Sequence, residues 1–208
     1  MADAPAPVLL TGFEPFDGAA ANPSIDAVRL VAEQWDRTEP LVTAELPVSY
    51  QRATEHLERL ITDHEPALVV AVGLAGGRQE ISLERLAVNL QDARIADNDG
   101  HRPADAPVIA GGPAARWTSL PVKRAHLALT EAKIPAGLSM TAGTFVCNAL
   151  FYRLNAWAEE AGERRAGFVH VPSAEIMDVA VVARALRLVL ETALDPAPDV
   201  PVPAGSAS

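Results

Sequence analysis

Ala67-Leu-Val-Val-Ala-Val72 is an unbroken apolar, largely β-branched run closed by Gly73. A strand with one wet face alternates polar and apolar residues, so a continuous run describes a strand covered on both faces. Such a strand needs helices above and below it. Further strands are predicted at Val8-Leu-Leu-Thr11, Leu41 to Pro47, Leu138 to Thr141 and Gly167-Phe-Val-His-Val171, with a short one at Leu86 to Leu90. Helical periodicity covers Ser24 to Trp35, Tyr50 to His64, Val122 to Ala132, Phe145 to Ala161 and Ile176 to Ala193, and Asn22-Pro23-Ser24 is a start signal for the first. The alternation predicts an α/β fold of three layers, α/β/α, around a mostly parallel twisted sheet. Ligands in such folds bind at the carboxyl ends of the strands. Four ends carry unusual residues: Gly12-Phe13, Gly73 to Gly77, Gly143 to Cys147, and His170. They are expected to converge on one edge of the sheet.

A length of 208 residues suits a single domain, 1–208, with an adequate core. The ends, 1–6 and 196–208, are rich in Ala, Pro and Ser and are expected to be loose. Residues 92–117 hold many Gly, Pro, Asp and Asn residues and read as a long irregular excursion. The net charge of −10 argues against a nucleic-acid partner and against anionic membrane surfaces. No apolar run is long enough to span a bilayer, and Met1 to Pro7 lacks the basic and apolar regions of a signal peptide. The expectation is a soluble cytoplasmic protein. One cysteine excludes an intrachain disulfide and a multi-cysteine metal site, and nothing in the residues calls for a metal or another cofactor.

That cysteine, Cys147, lies in Thr141-Ala-Gly-Thr-Phe-Val-Cys-Asn148, at the expected first turn of a helix with Thr144 as its cap. Unpaired N–H groups and the helix dipole favour an anion there, which would lower the thiol pKa. A lone cysteine in an apolar stretch is also a common core residue. A cysteine nucleophile needs a base, and the base an orienting group. Of five histidines, His56 and His64 fall on a charged helix, His126 on another and His101 in the excursion. His170 ends an apolar strand on the edge expected for Cys147, which makes it the candidate base. Glu80, Glu84, Asp92, Asp97 and Asp99 are the acidic candidates, and local reading leaves them open. Arg94 is either a surface ion-pair partner or a donor to an oxyanion. Gly73 to Arg78 lacks the Walker and dinucleotide patterns, and Asp97-Asn-Asp-Gly100 lacks calcium-loop spacing. Phe13 and Phe16 suggest an apolar pocket wall.

Several segments in order carry a family likeness. They are Leu10-Thr-Gly-Phe-Glu-Pro-Phe16 with Asn22-Pro23; Gly76-Gly-Arg78 with Glu84-Arg-Leu-Ala-Val-Asn89; Asp92-Ala-Arg-Ile95 with Asp97-Asn98 and Gly100; Gly111-Gly-Pro-Ala114 with Leu120-Pro121; Thr141 to Asn148 with Phe151-Tyr152; and Gly167-Phe-Val-His-Val-Pro172. Together they resemble the pyroglutamyl-peptidase I family of cysteine peptidases, whose fold is phosphorylase/hydrolase-like. The resemblance implies removal of N-terminal pyroglutamate from peptides by a triad of Cys147 as nucleophile, His170 as base and Glu84 as orienter. It further implies that Arg94 binds the oxyanion, that Phe13, Phe16, Ile95 and Val146 line the pyrrolidone pocket, and that the chain forms a homo-oligomer, up to a tetramer. Leu74 and Val48 depart from the glutamine and threonine common in relatives, which would make the pocket more apolar. An inactive relative that binds a small amide or peptide N-terminus is the alternative. The α/β pattern alone also admits a nucleoside-phosphorylase-like enzyme.

Overall fold

The computed structural model describes residues 5–162 and 164–204, so the outermost parts of both expected tails lie outside the described residues. Among those described, the element order is β1 (Val8–Phe13), α1 (Pro23–Glu33), β2 (Leu41–Leu46), α2 (Tyr50–His64), β3 (Leu68–Leu74), β4 (Ile81–Glu84), β5 (Leu86–Val88), β6 (Ala115–Trp117), α3 (Val122–Glu131), β7 (Ala136–Ser139), α4 (Val146–Ala161), β8 (Arg165–Val171) and α5 (Val179–Leu194). The main sheet runs β2-β1-β3-β8-β4-β7, and β5-β6 form a separate two-stranded ribbon. The pairs β1–β2, β1–β3, β3–β8 and β4–β7 are parallel, and β4–β8 is antiparallel.

Strand alternation assigns the layers. Val8, Leu10, Val70, Val72, Val169 and Val171 pack beneath α1, α3 and α5. Leu9, Val69, Ala71, Ala166 and Phe168 pack against α2 and α4 on the other face. Helix α2 shows how the sequence selects its buried stripe: Tyr50, Ala53, Thr54 and Leu57, at helical spacing, are the buried residues, and the Ser49 side chain caps the start by accepting from the Arg52 N–H.

One strand is unexpected and two expectations need correction. Strand β4 is not foreshadowed by an apolar run, because Ile81-Ser-Leu-Glu84 alternates while all four residues are buried. Its polar positions, Ser82 and Glu84, face into the molecule. The carboxyl end of β7 does not lie on the edge expected for the four strand ends, because β7 runs antiparallel to β8 and its last residue, Ser139, sits level with Glu84. Yet the loop that follows brings Cys147 to Gly73, the partner of His170, so the residues named at the four ends do meet. The C-terminal stretch is also tied down at its start. The Asp199 carboxylate accepts from the Lys123 and Arg124 N–H groups at 3.2 and 2.9 Å, and the Arg124 guanidinium donates to the Ala197 carbonyl at 2.7 Å.

Candidate active site

His170 follows Ala166 and Phe168 on the face of β8 that looks toward α4. It is 4% exposed, and its ring packs on Phe168 with centroids 4.8 Å apart. Ser82 is its register partner on β4, so Glu84, two residues on, lies diagonally opposite on the same face. That diagonal closes: Glu84 Oε1 is 2.8 Å from His170 Nδ1, and Glu84 is fully buried. With Nδ1–H donating to the carboxylate, Nε2 is left as the basic nitrogen. Glu80, outside β4 and exposed, lies over Gly137 of β7 instead. Among the described residues this is the histidine–carboxylate pair within ion-pair distance, and the other histidines are exposed or half-buried.

Arg78 is a group that the sequence reading passed over. Its Nη1 donates to the same Glu84 Oε1 at 2.6 Å, and its Nη2 donates to the Thr141 carbonyl at 2.7 Å. In the sequence it appears only as the end of Gly76-Gly-Arg78, one of the segments of the family likeness, and no local periodicity gives it a role.

Cys147 is the second residue of α4. The expected cap is replaced: Phe145 is the N-cap and supplies no side-chain hydrogen bond. Thr144 Oγ1 donates instead to the Asp92 carbonyl at 2.7 Å, while the Asp92 N–H donates to the Thr144 carbonyl at 3.1 Å, which fastens the cysteine loop to the excursion. Gly143 takes φ +77° in this loop, a conformation that favours glycine. Asn148, fully buried, accepts from the Val88 N–H and donates to the Val88 and Leu90 carbonyls at 2.9–3.0 Å, locking the start of α4 onto β5.

The thiol reaches β3. A Cβ placed on Gly73 would stand 2.9 Å from Cys147 Sγ, so only glycine admits the sulfur there, and Gly73 is the register partner of His170. The helix start does not lower the thiol pKa as expected. Burial, followed by the charge of Glu84, pushes it up to about 12, against the smaller opposing pulls of a backbone N–H and Arg78. Burial and the Glu84 charge thus both work against the thiolate.

A cavity of about 400 Å³ opens beside the sulfur, lined by Phe13, Phe16, Val48, Leu74, Phe145, Val146 and Cys147, with Asp17, Ala19, Ala21, Asn22 and Gly76. Its wall is built from several elements. The Phe13 N–H donates to Ser24 Oγ at 3.0 Å, Phe16 packs on Phe145 at 5.4 Å, and Tyr50 meets Phe145 edge-on at 5.5 Å. Glu14 Oε1 takes the Val48 N–H at 3.0 Å and the Asn98 amide at 2.7 Å, fixing that side. Phe145 is a wall residue that the sequence reading omitted, although it adjoins Val146. Ile95 is not in the wall: it is 41% exposed on the excursion. Arg94 is exposed two residues beyond Asp92, near the cysteine loop, and makes no hydrogen bond among the described residues. Among the described residues no cluster of three or more His, Cys, Asp or Glu side chains is placed to hold a metal ion.

A thiol that lines a small apolar cavity, and a buried imidazole–carboxylate pair on the strands beside it, are the parts of a thiol-dependent acyl-transfer site. Known proteins agree with that chemistry. The family model described as pyroglutamyl peptidase matches residues 6–194. The pyrrolidone-carboxylate peptidase of Clavibacter michiganensis is 43% identical, over 96% of this chain and 98% of its own. The enzyme of that name from Bacillus subtilis is 42% identical, over 96% and 97%. The crystal structure of pyroglutamyl peptidase I from Bacillus amyloliquefaciens superposes with a TM-score of 0.90 at 36% identity, covering 96% of this chain and 100% of that one. Pyrrolidone carboxyl peptidase from Thermococcus litoralis gives 0.85 at 33% identity, over 95% and 99%. Sequence, fold and the length matched all place this chain in the pyroglutamyl peptidase family.

Proposed function

We propose that this chain is a cysteine exopeptidase that removes pyroglutamate from peptide N-termini, with Cys147 as nucleophile, His170 as base and Glu84 as its orienter. The observation that carries the reading is the buried Glu84–His170 pair, on the strand next to Gly73, against which Cys147 Sγ is packed. In this mechanism His170 Nε2 takes the thiol proton as Sγ attacks the pyroglutamyl carbonyl. Glu84 holds the imidazolium that results, and Arg94 with the N–H groups at the start of α4 receives the oxyanion. His170 then protonates the departing amine, and water hydrolyses the thioester. A raised thiol pKa fits a proton transfer to His170 that accompanies attack.

The cavity accounts for the choice of substrate. A lactam ring is uncharged and fits an apolar enclosure, whereas an open-chain N-terminal glutamate or glutamine would bury an unpaired ammonium there at high cost. Leu74 and Val48 add to the apolar lining. No helix among the described residues is long and apolar enough to cross a membrane. A cytoplasmic setting, which keeps the thiol reduced, and a homo-oligomer of up to four copies belong to the same proposal.

The test is release of a fluorogenic amine from its pyroglutamyl amide under reducing conditions, with wild type and Cys147→Ala compared. Turnover by wild type and none by folded Cys147→Ala is the expected result. Turnover by Cys147→Ala would remove the nucleophile, and no turnover by folded wild type would favour an inactive relative that only binds the pyroglutamyl group.

A further inference from the structure

Glu84 Oε1 carries two bonds: it faces His170 Nδ1 at 2.8 Å and accepts from Arg78 Nη1 at 2.6 Å. The other oxygen, Oε2, is buried and has no partner among the described residues. A carboxylate with one bare buried oxygen is held in orientation by whatever grips the other. The second arm of Arg78 donates to the Thr141 carbonyl, which also accepts from Ser139 Oγ at 3.0 Å. Thr141 begins the loop that turns through Gly143 into Cys147. Arg78 is itself anchored: its N–H closes a turn on the Ala75 carbonyl at 2.9 Å, and the Ala75 N–H donates to the carbonyl of Val171, the neighbour of His170. Its side chain is 27% exposed, so the fork sits at the edge of the buried pair and is shielded on most sides.

We propose that Arg78 is a positioning residue of the reaction, one arm of its guanidinium holding Glu84 on His170 and the other holding the loop that delivers Cys147. This rests on the peptidase reading above. The fork suits the task because its donors are fixed in one plane on separate nitrogens and so reach two acceptors on different elements, whereas an ammonium would have to serve both from a single nitrogen. Arg78 also offsets the charge of Glu84, which otherwise opposes a thiolate at Cys147. It does not line the cavity, so its contribution falls on the chemical step and not on substrate binding.

The experiment compares wild type with Arg78→Met, Arg78→Lys and Arg78→Gly, each checked for folding by thermal midpoint. Arg78→Met is expected to lower kcat about 100-fold, the scale of a small misplacement of reacting groups, with KM changed by less than about threefold. Arg78→Lys should recover part of the loss, and added guanidinium ion should restore turnover to Arg78→Gly with saturation. A second readout needs no turnover: the pH profile of Cys147 alkylation by iodoacetamide should move to higher pH in Arg78→Met and stay near wild type in Arg78→Lys. An unchanged kcat and alkylation profile in Arg78→Met would overturn the proposal, as would a loss confined to KM or one matched by an equal fall in thermal midpoint. Wild type that alkylates with the expected dependence on Arg78 but turns over no pyroglutamyl amide would count against the peptidase reading and leave the positioning role standing.

Discussion

Glu84 and Glu80 are close neighbours in the sequence and have opposite fates in the fold. Glu84 is fully buried and bonded to His170, while Glu80 is exposed over β7. If the carboxylate sets the imidazole tautomer and stabilises the imidazolium, Glu84→Gln should lower kcat by on the order of 10³–10⁴-fold, because the amide can present an N–H where an acceptor is needed. Glu80→Gln should stay within about twofold of wild type. Steady-state kinetics on the two variants decides the matter, and a larger loss in Glu80→Gln would mean that the orienter is wrongly assigned. The same logic separates His170 from the remaining histidines. Its place at the end of an apolar strand marks it in the sequence, and burial beside a carboxylate sets it apart in the fold.

Two short elements settle how the site is assembled. Strand β4 turns an otherwise parallel arrangement antiparallel beside β8, and this brings Glu84 alongside His170 from a segment 86 residues away. Helix α4 starts where Asn148 and Thr144 fasten it to β5 and the excursion, and the N-cap residue adds no side-chain bond of its own. Helix α3 uses the same device. Its N-cap, Pro121, offers no side-chain hydrogen bond, and Asp199 from the C-terminal stretch accepts from the Lys123 and Arg124 N–H groups in its place. Asp199→Ala is expected to cost about 1 kcal/mol of stability, the usual worth of a helix cap, with kcat and KM unaltered. Urea unfolding measures it, and an unchanged midpoint would mean that the stretch contributes nothing to α3.

At the scale of the molecule, the two faces of the sheet divide the labour. The face under α1, α3 and α5 is apolar core, while Ser82, Glu84, Gly73 and His170 interrupt the other face where α4 begins. The proposed homo-oligomer is a property of this whole surface, and sedimentation equilibrium should return a multiple of the 22.0 kDa chain. A mass of one chain at micromolar concentration would refute it. The layers, the helices and the identity of Cys147 and His170 as candidates were legible in the sequence, because apolar periodicity and strand ends are local properties of consecutive residues. The choice of Glu84 over Glu80 is legible in the sequence only through family likeness. The antiparallel β4, the Arg78 fork, the Phe145 wall and the exposure of Ile95 were not legible, since each depends on a pairing or contact between distant segments. The charge state of the thiol shows the difference most sharply. Its place at a helix start argued for a lowered pKa, and that dipole is local; burial and the charge of Glu84, both supplied by the folded chain, outweigh it and drive the pKa the other way.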